Sequence, residues 1–133
     1  MNEQPLFLLV DDDPDDIMLL KDAILSIDDN IRFAEAMDGR AALNYLKKAE
    51  QQEALPRLVV LDINMPILNG REVIAIIKKE AKLKEIPVVV FSTSSYPGDV
   101  SYCREHGVEL IVKPFGMKVL MDIAKKLITN YAN

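Results

Sequence analysis

A chain of 133 residues, half of them hydrophobic, is long enough for one self-supporting core and too apolar for a disordered polymer. Its 21 acidic against 16 basic residues leave a net charge of -5, which argues against a nucleic-acid surface or an anionic membrane, since both need clustered positive charge. A lone cysteine, Cys103, and a lone histidine, His106, exclude an internal disulfide and a Cys/His zinc site.

The start Asn2-Glu3-Gln4-Pro5 lacks the positive charge and long apolar run of a signal peptide, and no apolar run approaches a membrane span. A cytoplasmic protein is expected. Leu6 to Val10 is a continuous apolar run and reads as a buried strand. Pro14 then opens a helix, with Asp15 and Asp16 at its positive end and Ile17, Leu20, Ile24 and Ile27 spaced to face the core. Ile31 to Ala36 is a mixed strand suited to an edge, and Gly39 to about Glu50 is a helix packed through Ala42, Leu43 and Leu46. Leu58 to Leu61 is a second buried strand. A turn over Met65 to Gly70 leads into a helix carrying Val73, Ile74 and Ile77.

Val88 to Phe91 is a third buried strand, followed by a polar loop from Ser92 to Asp99 that contains Pro97 and Gly98. A short helix is predicted from about Asp99 to His106, a last strand over Val108 to Val112, and a last helix from Phe115 to about Tyr131 with Leu120, Ile123 and Leu127 inward. Five strands alternating with five helices imply an α/β fold, a parallel sheet covered on both faces. Ligands of such sheets bind at the carboxyl ends of the strands.

At those ends stand Asp11, Asp12 and Asp13 after the first strand, Asp62 after the third, Ser92 and Thr93 after the fourth, and Lys113 after the last. Several carboxylates held together need a cation, and hard oxygen donors suit Mg²⁺. A lysine and a hydroxyl beside them are arranged to stabilise charge on a transferring phosphoryl group, with Asp62 as the nucleophile. Asp13 and Asp15 or Asp16 read as solvated residues of the loop and helix start. The spacing of the acids does not make a calcium hand. Cys103 reads as a half-buried helix residue, and His106 as a capping or solvent residue.

The segments LLVDDDPDD, LVVLDINMPILNG, VVVFSTSS and LIVKPF, in that order over nearly the whole chain, resemble the signatures of response-regulator receiver domains of the CheY-like superfamily. The resemblance implies a flavodoxin-like, doubly wound (βα)5 fold with strand order 2-1-3-4-5. It also implies a single receiver domain over residues 1–133 with no output domain. In such a domain Asp62 takes a phosphoryl group from a sensor histidine kinase or histidine phosphotransfer protein. Asp12, Asp62 and the carbonyl of Asn64 ligate Mg²⁺, Asp11 acts through a metal-bound water, Lys113 pairs with the phosphoryl group and Ser92 hydrogen-bonds it. The chain would be a phosphoacceptor that assists its own phosphorylation and dephosphorylation rather than an enzyme. It would signal to a downstream protein through the last two helices and last strand.

The resemblance also makes Lys113–Pro114 a candidate cis bond. Leu110 stands where many members carry a switching aromatic residue, and Ser92 replaces the commoner threonine. Dimerisation stays open. Two alternatives compete: a Mg²⁺-dependent phosphohydrolase using Asp62, and a receiver-like adaptor that takes no phosphate. Asn64 counts against the first, because it cannot act as an acid-base group. The intact set Asp11, Asp12, Asp62, Ser92 and Lys113 counts against the second.

Overall fold

The computed structural model describes residues 4–133, so the polar start at Asn2 and Glu3 lies outside the described residues. The strands are β1 Leu6–Val10, β2 Arg32–Ala36, β3 Leu58–Leu61, β4 Val88–Ser92 and β5 Glu109–Val112. The helices are α1 Pro14–Ile27, α2 Gly39–Gln51, α3 Gly70–Lys79, α4 Pro97–Glu105 and α5 Met117–Tyr131. The strands form one parallel sheet in the order β2-β1-β3-β4-β5, as the resemblance implies.

The sheet order follows from which runs can be buried on both faces. Every residue of β3 and β4, and all but the first of β1, is buried, whereas β2 mixes polar and apolar residues, is mostly not buried, and lies at an edge. Side chains alternate across β1: Leu8 and Val10 enter a layer with α2, α3 and Cys103 of α4, while Phe7 and Leu9 enter a layer with α1 and α5. Burying each such Leu or Val contributes about 1.5–3 kcal/mol relative to exposure.

Helix ends are set by short polar residues. Asp13 caps α1 by accepting from the Asp15 amide, Asp38 caps α2, and Asn69 and Glu72 form a reciprocal capping box on α3.

Several expectations are corrected. Ile27 is the last residue of α1 and is 37% exposed, whereas Ile17, Leu20 and Ile24 of the same stripe are buried. Helix α5 begins at Met117: Gly116 holds extended backbone as its N-cap, which leaves Phe115 outside the helix and fully exposed. Helix α4 begins earlier, at Pro97, whose fixed φ suits a first helical position. Among the described residues no peptide bond is cis, so Lys113–Pro114 is trans, the intrinsically favoured form.

Candidate functional site

Three residues of the site are fixed by the sheet itself. Each extends the hydrogen-bond ladder just past a strand end: the Asp11 amide donates to the Ala36 carbonyl at 3.1 Å, Asp62 to Val10 at 3.0 Å, and Lys113 to Ser92 at 2.9 Å. Their side chains therefore start from rigid backbone at one edge of the sheet.

Carboxylate oxygens of Asp11, Asp12 and Asp62 lie within 4.8 Å of one another. Asp11 and Asp62 are buried, and Asp12 is exposed. The Lys113 ammonium reaches into this group from β5. It donates to Asp11 Oδ2 at 2.7 Å and to Asp16 Oδ2 at 2.7 Å, and lies 3.5 Å from Asp62 Oδ2. Backbone amides turn two of the carboxylates: Asp13 donates to Asp11 Oδ1 at 3.0 Å, and Asn64 to Asp62 Oδ1 at 3.2 Å.

Burial raises the Asp11 carboxyl above its ordinary range, against the lowering effect of its hydrogen bonds to Lys113 and the Asp13 amide; the charge of Asp62 raises it further. Burial opposes the charged form of Lys113 as well. Hydrogen bonds to Asp11 and Asp16, together with the charges of Asp62 and Asp11, outweigh it and hold the ammonium above its ordinary range. The two directions agree physically. The lysine faces three carboxylates, while Asp11 shares one lysine and faces a like charge.

The carboxylate group opens on a cleft of about 470 Å³ lined by Asp12, Asn64, Asn69, Arg71 and Asp99. The close approach of α3 to the Asp62 loop beside it depends on Gly70. A Cβ there would stand 2.6 Å from the Asp62 carbonyl oxygen and 2.6 Å from Ile63 Cα, so only glycine lets α3 start this close to the Asp62 loop. A larger cavity of about 560 Å³ lies at the opposite edge of the sheet, around Arg32, Lys48 and Arg57, and receives none of the convergent groups.

Of the residues singled out in the sequence, Asp11, Asp12, Asp62 and Lys113 are brought together, and Asn64 contacts Asp62 through its amide. Ser92 is fully buried at the end of β4. Its carbonyl holds the Lys113 amide, and its hydroxyl accepts from the Ser94 amide at 3.2 Å. Chemically, the group offers hard oxygen donors, a buried ammonium and a hydroxyl at one sheet edge.

A model of the response regulator receiver domain matches residues 7–125. The chain belongs to the response-regulator receiver domain family.

Among relatives of this receiver domain, the response regulator Rcp1 of Synechocystis sp. is 38% identical over 101 residues, covering 74% of this chain and 69% of that protein. The probable methanogenesis regulatory protein FilR2 of Methanothrix harundinacea is 35% identical over 124 residues, covering 92% of this chain and 80% of the relative. The phosphorylated cyanobacterial phytochrome response regulator RcpA superposes with a TM-score of 0.88 at 32% identity, over 97% of this chain and 94% of that one. The Mn²⁺-bound form of Rcp1 superposes at 0.83 with 30% identity, over 97% and 95% of the two chains.

Around the carboxylate cluster the receiver domain departs from the sequence reading in two places. Asp16, read as a solvated helix-start residue, is a direct partner of Lys113, since the first turn of α1 brings it beside the end of β5. A second group was missed altogether. Arg71 Nε donates to Asp99 Oδ1 at 2.8 Å, Ser94 Oγ donates to Asp99 Oδ2 at 2.7 Å, and Tyr102 Oη donates to the Arg71 carbonyl at 2.7 Å. Arg71 and Asp99 are 28 residues apart, and an acid in a first helical turn reads locally as a dipole partner, so no local signal joins them. His106 is the C-cap residue of α4, with Nδ1 2.8 Å from the Tyr102 carbonyl and its ring stacked on Tyr102 at 4.1 Å. Leu110 packs half-buried against the layer that holds Tyr102 and Cys103.

Proposed function

We propose that this receiver domain is a phosphoacceptor switch in two-component signalling, with Asp62 taking a phosphoryl group from the phosphohistidine of a sensor histidine kinase or histidine phosphotransfer protein. The observation that carries the reading is the convergence of three carboxylates within 4.8 Å beside the Lys113 ammonium. Asp62 Oδ attacks phosphorus, the P–N bond breaks, and the electron pair leaves on the imidazole nitrogen of the donor. Lys113 exchanges part of its ion pairing for the phosphoryl oxygens, and the Ser92 hydroxyl donates to one of them.

The donor set fits a hard divalent cation: carboxylate oxygens from Asp11, Asp12 and Asp62 lie together, and Asn64 lines the cleft with Asp12. When bound, Mg²⁺ supplies positive charge that offsets both the carboxylates and the phosphoryl oxygens. In this reading Asp12, Asp62 and Asn64 are direct ligands, and Asp11 acts through a bound water.

The family match over residues 7–125 supports a receiver domain, and in this reading it signals to a downstream protein by changing the surface of α4, β5 and α5. The chain works in the cytoplasm and turns over no small-molecule substrate. Among the described residues no helix is long and apolar enough to cross a membrane. Incubation with phosphoramidate and Mg²⁺ should add one phosphoryl mass to the wild type and none to Asp62→Asn. A label that survives Asp62→Asn overturns the assignment, and steady turnover of phosphate esters favours the phosphohydrolase alternative.

A further inference from the structure

Asp99 sits in the first turn of α4 yet is only 7% exposed. Both its oxygens are used across elements. Oδ1 takes the Arg71 fork, with Nε at 2.8 Å and Nη2 at 2.6 Å, and Oδ2 takes the Ser94 hydroxyl at 2.7 Å. Arg71 is the second residue of α3, directly after the Gly70 that abuts the Asp62 carbonyl. Helix α4 holds Arg71 at both ends: the Tyr102 hydroxyl donates to its carbonyl at 2.7 Å, and its guanidinium lies 5.1 Å from the Tyr102 ring. The chain of contacts then runs on to the other loop of the site, because the Ser94 amide donates to Ser92 Oγ at 3.2 Å.

We infer that Asp99, clamped by Arg71, is a positioning residue for phosphoryl transfer to Asp62: through Ser94 it holds the loop after β4 so that the Ser92 hydroxyl keeps its proton for the phosphoryl group. With the Ser94 amide on one lone pair of Ser92 Oγ, the hydroxyl oxygen is held in place, and its O–H stays free to donate to a phosphoryl oxygen.

An ion pair placed only to join α3 and α4 gains little over an apolar pair, because burying a carboxylate costs nearly what the pairing returns. What an apolar pair lacks is the second acceptor oxygen, the one that fixes Ser94. Asp99 exchanges no proton and no electrons in the transfer. Asp62 Oδ bonds to phosphorus, the P–N bond of the donor breaks, and its nitrogen takes the electron pair. Asp99 sets only the direction from which Ser92 meets a phosphoryl oxygen.

The inference rests on the phosphoacceptor reading of Asp62, and the test separates the two. The rate of Asp62 labelling by phosphoramidate with Mg²⁺ is followed by intact mass for the wild type, Asp99→Ala, Ser94→Ala, Ser92→Ala and the pair Asp99→Ala/Ser92→Ala. Asp99→Ala and Ser94→Ala should each lower the rate at saturating phosphoramidate on the order of tenfold, with unchanged Mg²⁺ affinity. Asp99→Ala should add nothing in the Ser92→Ala background, since both act on one hydroxyl. An equal loss in both backgrounds means a merely structural role and overturns the inference. So does wild-type labelling by Ser94→Ala, which keeps the Arg71–Asp99 pair and decides the matter if Asp99→Ala fails to fold. A wild type that takes no phosphoryl group removes the phosphoacceptor reading and this inference with it.

Discussion

The Lys113 ammonium donates to the Asp16 carboxylate at 2.7 Å, joining the end of the last strand to the first turn of the first helix. Asp16 is about a third exposed, so solvent screens the pair. Asp16→Ala should cost about 1 kcal/mol in urea unfolding and leave Asp62 open to labelling, because Asp11 still holds the lysine. A loss above about 3 kcal/mol would instead mark the bond as part of the buried charge network.

Lys113 itself is only 10% exposed and is the cation against which Asp11 and Asp62 are buried. Lys113→Met leaves those carboxylates uncompensated. Stability in chelator should drop by about 3 kcal/mol, and added Mg²⁺ should then raise the melting temperature more than it does for the wild type. Equal Mg²⁺ increments in calorimetry would contradict this account of the cluster.

Asp12 is the exposed acid of the three and faces the cleft of about 470 Å³. As the direct ligand proposed above, it would contribute charge at little desolvation cost. Asp12→Ala should weaken Mg²⁺ binding by at least about tenfold, measured by isothermal titration. Unchanged affinity would remove Asp12 from the ligand set.

A methyl group at Gly70 has nowhere to go, with backbone atoms of both Asp62 and Ile63 2.6 Å from a Cβ. Gly70→Ala should cost about 1–3 kcal/mol and slow Asp62 labelling, since α3 must move off the loop that carries Asp62. Wild-type stability and labelling together would show that the two backbones part freely.

Cys103 is 1% exposed rather than half-buried, and burial raises its thiol above the ordinary range, with the charge of Asp99 acting in the same direction. A folded value above the unfolded one means that the neutral thiol contributes stability fully below the ordinary thiol range. That contribution is lost as pH rises through the folded value. Alkylation at pH 8 should be slow in the folded protein and fast in denaturant. Equal rates would contradict the burial.

Much of the fold could be read from one dimension, for a local reason. The apolar runs at β1, β3 and β4 are too short for helices and are bounded by turn residues, so they read as strands buried on both faces. The polar β2 belongs at an edge, and the turn residues between them punctuate the alternation. Boundaries are less legible, as at α5, where the extended backbone of Gly116 excludes Phe115 from a helix that its apolar pattern predicts it to begin.

The residue types of the candidate site, Asp11, Asp12, Asp62, Ser92 and Lys113, were determined by the sequence alone, because a parallel sheet collects every strand end at one edge. Which of them touch was decided only by the tertiary structure. Side-chain partners across 28 to 102 residues depend on helix placement and loop path, which no local pattern encodes. Hence Asp16 reads locally as solvated yet binds Lys113, and Asp99 reads as a loop and helix-start acid yet joins Arg71 to Ser94.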